Sequence, residues 1–458
     1  MLQSLFVAMV MALVSQAPAA PVSQAPAPTS TTPGACRKEV SDYVTKKRAD
    51  LPPLPAAGAD AAALQAVNQQ RLALSRQITL DQSAMSQACA AKFTIAGTAD
   101  ADLPDLAQLY LDAAAGQPAT ALTTAIGQAK DAMTRAIAVT NQPPAVRANT
   151  LATAVTVFLR EQPPTPERNA RLERVVDELD KLPEAYLTQK VNAHLALESY
   201  YRYDDIDAGI IKHAKWLIET VKVCDVADRK TIAPRVVTAY INMAEAWAGQ
   251  GMNDDAIALL RRAPQELSDV PNAATMVQPE IDRLQLVGTE GAPITAPRWL
   301  NMPAGKTTVD YKGKVTLLEF SAHWCVPCKE SYPGVNRLRE KYGPKGFQVV
   351  ISTQLYGYFQ TERPLDATTE FERDHTYFAE HGLDVPIAVG DQVTVKVVDG
   401  KVTYVPAKDP NDVAYRVGGI PQIHLIDKQG RIRLVMVGYD DLNEPRLSKM
   451  IEEMLNEK

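Results

Sequence analysis

A pair of cysteines in Trp324-Cys325-Val326-Pro327-Cys328-Lys329 follows directly on Val315-Thr316-Leu317-Leu318-Glu319-Phe320, and this leaves the C-terminal part of the chain few folds to choose from. The run 315–320 is nearly all apolar and short, as a strand buried on both faces should be. Ser321-Ala322-His323 reads as a turn, usually solvated, and a helix is expected from the cysteines to about Tyr342, with Gly343 and Pro344 as its stop. Two cysteines three apart at a helix start lie about one turn apart on one side, so their sulfurs can bond without unwinding the helix. Cys325 opens the helix, where free N–H groups and the helix dipole stabilise a thiolate, and Pro327 sits in the first turn, where its missing N–H costs little. Cys325 is therefore the expected exposed nucleophile and Cys328 the shielded thiol of higher pKa that resolves the mixed disulfide.

Further along, Gly419-Ile420-Pro421 precedes an apolar run Gln422–Ile426, a turn at Lys428-Gln429-Gly430, Val437-Gly438 and an amphipathic helix from about Glu444. Together with Trp324, Cys325, Pro327, Cys328, Lys329 and Pro333, this order resembles the thioredoxin superfamily over roughly the last third of the chain. The resemblance implies an α/β fold with a central mixed sheet flanked by helices. It makes Pro421 the cis-proline of a substrate loop, in which the backbone of Ile420 pairs with a substrate peptide. Trp324 becomes a flat contact surface over the site. Glu319 stands six residues before Cys325, where the family carries a buried carboxylate. Burial raises a carboxyl pKa, which suits Glu319 to take the proton of Cys328 during resolution; the alternative is a glutamate at a strand end reaching solvent. The Cys325–Pro421 interval is longer than in a minimal thioredoxin and holds an expected helix at about 367–382 and a strand at Val385-Pro386-Ile387. It resembles in this the exported bacterial TlpA/ResA-like, redoxin-type reductases that act in cytochrome c maturation and related thiol reduction. A segment from Val393 to Val405, alternating around Asp399-Gly400, reads as an added hairpin.

The rest of the chain has a different texture. Residues 36–290 are rich in alanine and leucine, with apolar positions at helical spacing, and are expected to form an all-α bundle or solenoid. Between 240 and 263, Tyr240, Met243, Ala244, Trp247, Gly251, Ala256, Leu260 and Ala263 resemble one tetratricopeptide repeat, and such solenoids bind protein segments. The thioredoxin-like domain is expected over 291–458. Upstream, residues 20–35 are expected to be a Pro/Ala-rich disordered linker, and residues 1–19 read as a signal peptide: an apolar run from Leu5 to Val14, too short to span a bilayer, is followed by Ala17-Pro18-Ala19. No positive charge precedes that run. The expected location is periplasmic or secreted, with no stable membrane span.

Five cysteines in 458 residues do not make a disulfide scaffold. Export would permit a structural bond between Cys36 and Cys89, leaving Cys224 as a buried small hydrophobe. No metal site is expected, because a zinc site would need two more ligands, and no cofactor is implied. A net charge of −6 points away from nucleic acid. The expected activity is that of a thiol–disulfide oxidoreductase acting as a protein-disulfide reductase. Its expected partners are protein thiols and disulfides, an electron-donating redox partner such as a membrane thiol transporter, and a protein bound by the helical domain. Two alternatives stand beside it: a helical scaffold whose redox domain senses oxidation, and a peroxiredoxin-like peroxidase. The peroxidase wants Thr or Ser where this chain has Ala322.

Overall fold

A computed structural model describes residues 25–54, 61–203, 206–303, 305–362, 364–398, 401–405, 409–439 and 443–457, with the side chains of 61–65, 203, 394–398 and 401–405 left aside. The segment read as a signal peptide lies outside these residues. The chain divides into two compact units, 1–196 and 197–458. The division falls inside the stretch read from sequence as one helical domain.

In the first unit α1 (Pro33–Ala49), α2 (Ala61–Ala90), α3 (Leu103–Ala113), α4 (Ala119–Ala138), α5 (Pro144–Phe158) and α6 (Pro166–Asp180) follow one another, and α7 (Leu187–Tyr203) crosses the division. Prolines enter at first-turn positions of α1, α3, α5 and α6, where a missing N–H removes no helical bond. Part of the segment read as a linker is ordered: Glu39 accepts from the backbone N–H groups of Thr29 and Ser30, and Lys92 donates to the carbonyls of Pro28 and Ser30. Cys36 and Cys89 are bonded within a cluster that includes Val40, Met85 and Leu109.

The second unit opens with α8 (Asp207–Val223), α9 (Val226–Gly249), α10 (Asn253–Glu266) and α11 (Ala273–Leu284). Helices α9 and α10 pack as neighbours across a turn that contains Gly251 at φ +82°. Cys224, at the end of α8, is half-buried rather than buried, and its thiol donates to the Val221 carbonyl.

Next come β1 (Arg298–Leu300), β2 (Val315–Phe320), α12 (Val326–Tyr342), β3 (Phe347–Gln354), α13 (Ala367–Glu380), β4 (Ile387–Gly390), β5 (Thr394–Val398), β6 (Lys401–Val405), α14 (Pro410–Ala414), β7 (Gln422–Ile426), β8 (Ile432–Val437) and α15 (Glu444–Asn456). Six strands form one mixed sheet in the order β1-β4-β3-β2-β7-β8; β2, β3 and β4 run parallel and the other pairings are antiparallel. The strand expected at 385–387 starts at Ile387, because the preceding residue is a proline. β5 and β6 pair as a separate antiparallel hairpin.

Side chains alternate across a strand. Leu317, Val349 and Ile423 face a core closed by Tyr332, Val335 and Leu338 of α12, Phe378 of α13 and Ile451 of α15. Leu318, Phe320, Val350 and Ile426 face the other core, with Tyr311 and Tyr415. Glu319, two residues beyond Leu317, is therefore aimed at the face that carries α12. Segment 288–289 pairs with Ile432 at the edge of β8, and Arg446 of α15 pairs with Asp207 of α8 at 2.7 Å. The helices α8–α11 thus belong to the same packed body as the sheet.

Candidate redox site

Cys325 and Cys328 are bonded to each other, with Cα atoms 5.2 Å apart. Cys325 is the N-cap of α12, in extended conformation, and its sulfur accepts from the Cys328 backbone N–H at 3.1 Å. A helix-end N–H bond of this kind would favour the charged form of a sulfur at this position. Cys325 is only 3% exposed, against the expectation of an open nucleophile, because its sulfur is tied back to Cys328 and joins the apolar core. Trp324 is 45% exposed and sets its ring on edge against Tyr356. Val326, one residue past Cys325, is also exposed.

The Ile420–Pro421 bond is cis. Its loop is held from three sides: the Gly418 N–H donates to Gln422 Oε1, Gln422 Nε2 donates to the Tyr415 carbonyl, and the Gly438 N–H donates to the Pro421 carbonyl. Gln422 is fully buried and was not singled out in the sequence, because one polar residue opening a strand has no distinctive spacing.

Glu319 is 0% exposed. The strand-end alternative, in which it reaches solvent, does not hold. Its strand partners Ile351 and Ile423 are apolar. Ser331 donates to Oε1 at 2.9 Å, and Oε2 has no hydrogen-bond partner among the described residues. Burial pushes the carboxyl up to about 8, and the Ser331 hydroxyl pulls against that shift. At neutral pH Glu319 is thus largely protonated, with ionisation within easy reach. Tyr332 of α12 and Tyr377 of α13 both feel its charge, and both phenols are pushed up, chiefly by burial.

His323 departs from the solvated turn that its position suggested. Its side chain is 2% exposed, enclosed by Tyr356, Tyr358 and Phe359, with Nε2 3.8 Å from Glu370 Oε1. Burial lowers its pKa to about 4, so the ring is neutral and the pair is no salt bridge at neutral pH. Glu370 is anchored by the N–H groups of Tyr356 and Gly357 and by Gln392 Nε2. One turn on, Asp374 is buried, with neither oxygen hydrogen-bonded among the described residues; burial first, and then the Glu370 charge, pushes it up to about 8. Sequence reasoning missed this pair because two acids four apart on a polar helix look like a solvated face. Among the described residues no group of three or more His, Cys, Asp or Glu could hold a metal ion, and no helix is long and apolar enough to cross a membrane.

No family model matches the chain. Among curated proteins it is similar to the thiol-disulfide oxidoreductase ResA of Bacillus thuringiensis (strain Al Hakam), 27% identical over 129 residues, which is 28% of this chain and 58% of the relative. It is also similar to the thiol-disulfide oxidoreductase ResA of Geobacillus thermodenitrificans, 28% identical over 130 residues, with the same shares covered. The chain thus spans a little over half the length of the curated relatives it matches. Among solved structures it is similar to a thiol:disulfide interchange protein DsbE from Chlorobium tepidum, at 25% identity and TM-score 0.27, covering 37% of this chain and 98% of the other.

Proposed function

The C-terminal part of this chain is a redoxin-type domain of the thioredoxin superfamily, and on that premise we propose that the protein is a thiol–disulfide oxidoreductase working as a protein-disulfide reductase. The observation that carries the proposal is the Cys328 N–H bonded to Cys325 Sγ at a helix start, in a pair already joined as a disulfide. In the reduced protein the Cys325 thiolate attacks a substrate disulfide. One substrate sulfur leaves as a thiolate and takes a proton from water, and a mixed disulfide through Cys325 remains. Cys328 then gives its proton to the Glu319 carboxylate and attacks Cys325 Sγ. The Cys325–Cys328 bond forms, the bond to substrate breaks, and the second substrate sulfur departs. Two electrons have passed to the substrate. Trp324 and Val326 supply an apolar contact surface, and the backbone of Ile420 ahead of Pro421 pairs with an extended substrate peptide.

The substrates on this reading are disulfides in other proteins, and an electron-donating partner, such as a membrane thiol transporter, returns the pair to the dithiol. Export fits the same reading: the apolar run and small-residue site near the N-terminus supply an address, and a bonded Cys36–Cys89 pair suits an oxidising compartment. The helical region recruits a protein partner. The test is the reduction potential of the Cys325–Cys328 couple against glutathione buffers, with turnover on a protein disulfide. A reductase should lie nearer the roughly −270 mV of thioredoxin than the roughly −120 mV of a strong oxidant. A potential at the oxidising end would reverse the direction of electron flow.

A further inference from the structure

Ser331 stands between the two groups whose protons decide resolution. Its hydroxyl lies 2.9 Å from Glu319 Oε1 and 2.6 Å from the carbonyl oxygen of Cys328, and all three residues are buried. A hydroxyl has one proton to donate and lone pairs with which to accept. It cannot donate to both acceptors at once. With a proton on Glu319 every short contact is satisfied: the carboxyl donates to Ser331 Oγ, and Ser331 donates to the Cys328 carbonyl. With Glu319 ionised, the serine proton belongs on the carboxylate, since a charged acceptor in a buried site binds it more strongly. The Cys328 carbonyl then loses that bond.

We propose that Ser331 is a positioning residue that switches its hydrogen bond between the Cys328 carbonyl and the Glu319 carboxylate as Glu319 loses and gains its proton. The backbone of the resolving cysteine thereby registers the protonation of its own base. While Glu319 is an ionised acceptor, the Cys328 carbonyl is without the serine bond. Once Glu319 has taken the thiol proton, the serine bond returns and fixes the turn in the closed disulfide. No net proton or electron is consumed by the switch; the serine proton changes acceptor, and the proton that reaches Glu319 is the one lost by Cys328. The groups facing Glu319 are Ser331 and Tyr332 of α12 and Tyr377 of α13, with apolar Ile351 and Ile423 on the flanking strands. Both tyrosines stay protonated through the range in which Glu319 titrates. A mid-helix serine bonded only to a carbonyl three residues back is ordinary. The second acceptor, itself a titrating carboxyl, sets Ser331 apart.

The inference rests on Glu319 as the base, and the experiment separates the two. In the full-length oxidised protein, the carbon-13 resonances of the Glu319 side-chain carboxyl and the Cys328 carbonyl are followed from pH 5 to pH 10. The switch requires both to titrate with one midpoint. In Ser331→Ala the Glu319 midpoint should rise by about one pH unit and the Cys328 carbonyl should stop responding, because the bond that favours the carboxylate is gone. Ser331→Thr should restore both. A Cys328 carbonyl that stays flat while Glu319 titrates overturns the switch, as does an unmoved Glu319 midpoint in Ser331→Ala. The wild-type titration stands alone if the alanine variant does not fold. Failure of the base reading shows elsewhere, in resolution kinetics that Glu319→Gln leaves unchanged.

Discussion

At Glu319 the choice between a proton and a charge is made in full burial, and this makes the residue readable by substitution. Replacing it with Gln keeps the shape and one acceptor for Ser331 but removes the titration. The fold should survive, and resolution of the mixed disulfide should slow by about 10²–10³-fold, within the usual contribution of a positioned base. The attack by Cys325 should be unaffected. Stopped-flow measurement of the two steps separates them, and equal slowing of both would show a structural role. The pH dependence has a definite sign. A carboxyl whose folded pKa is raised holds its proton more tightly when folded, so its stabilising effect is complete below the unfolded value. It is lost as pH rises through about 8. Glu319→Gln should therefore flatten the decline in stability between pH 5 and pH 9. The cysteines divide the work differently. Cys328→Ala should leave a protein that attacks and cannot finish, visible as a mixed disulfide through Cys325 on a non-reducing gel and reversed by dithiothreitol. Cys325→Ala should trap little, because Cys328 lies inside the helix and lacks the helix-start N–H bond that Cys325 Sγ accepts. Equal trapping by both variants would defeat the assignment.

Among the elements, α13 belongs to the insertion between the Cys325–Cys328 pair and Pro421, and it brings charge to the turn 321–323 that precedes Cys325. Glu370 and Asp374 lie one helical turn apart, and Glu370 takes the available donors, so Asp374 is left to carry a proton. Asp374→Asn should raise stability a little at pH 5 and by more at pH 9. The expected gain is on the order of a few kcal/mol from removing a group pushed up to about 8. Urea midpoints at the two pH values provide the measurement, and parallel curves for the two proteins would show that Asp374 is solvated. The same helix shows what sequence could and could not convey. The motif Trp324–Lys329 and the order strand, turn, helix were legible because helix-end chemistry ties residue type to position. The cis bond at Pro421 and the insertion helix were legible from a resemblance in order and spacing. Burial of His323 was not, since the aromatic wall around it comes from residues 356–359, in the loop that follows β3. Ser331 and Gln422 were equally silent: each is one polar residue whose role depends on which buried group the fold sets opposite.

For the whole molecule, helical periodicity runs unbroken through Ala196 and Leu197, so the sequence offered no sign of the division between compact units there. What joins α8–α11 to the sheet is a set of single contacts far apart in sequence, such as Gly288 to Ile432 and Asp207 to Arg446, which no local pattern announces. The first unit has its own covalent closure. Cys36 and Cys89 are 53 residues apart, and a bond closing a loop of that length removes about 4 kcal/mol of unfolded-chain entropy at 25 °C in the loop-closure account. The bonded pair lies in a small cluster with Val40, Val44, Ile78 and Met85, so Cys36→Ser with Cys89→Ser also puts two hydroxyls into an apolar setting. The double variant should therefore unfold in its first unit at a clearly lower temperature, with a loss of at least about 3 kcal/mol. The second unit contains neither cysteine, and its transition and the reduction potential of Cys325–Cys328 should stay where they are in the wild type. Scanning calorimetry of the full chain, with thiol counting before and after denaturation, reads both. A double variant that melts like the wild type would mean that Cys36 and Cys89 are free thiols in the folded protein. A shifted potential at Cys325–Cys328 would mean that the covalent closure of the first unit reaches the redox chemistry of the second.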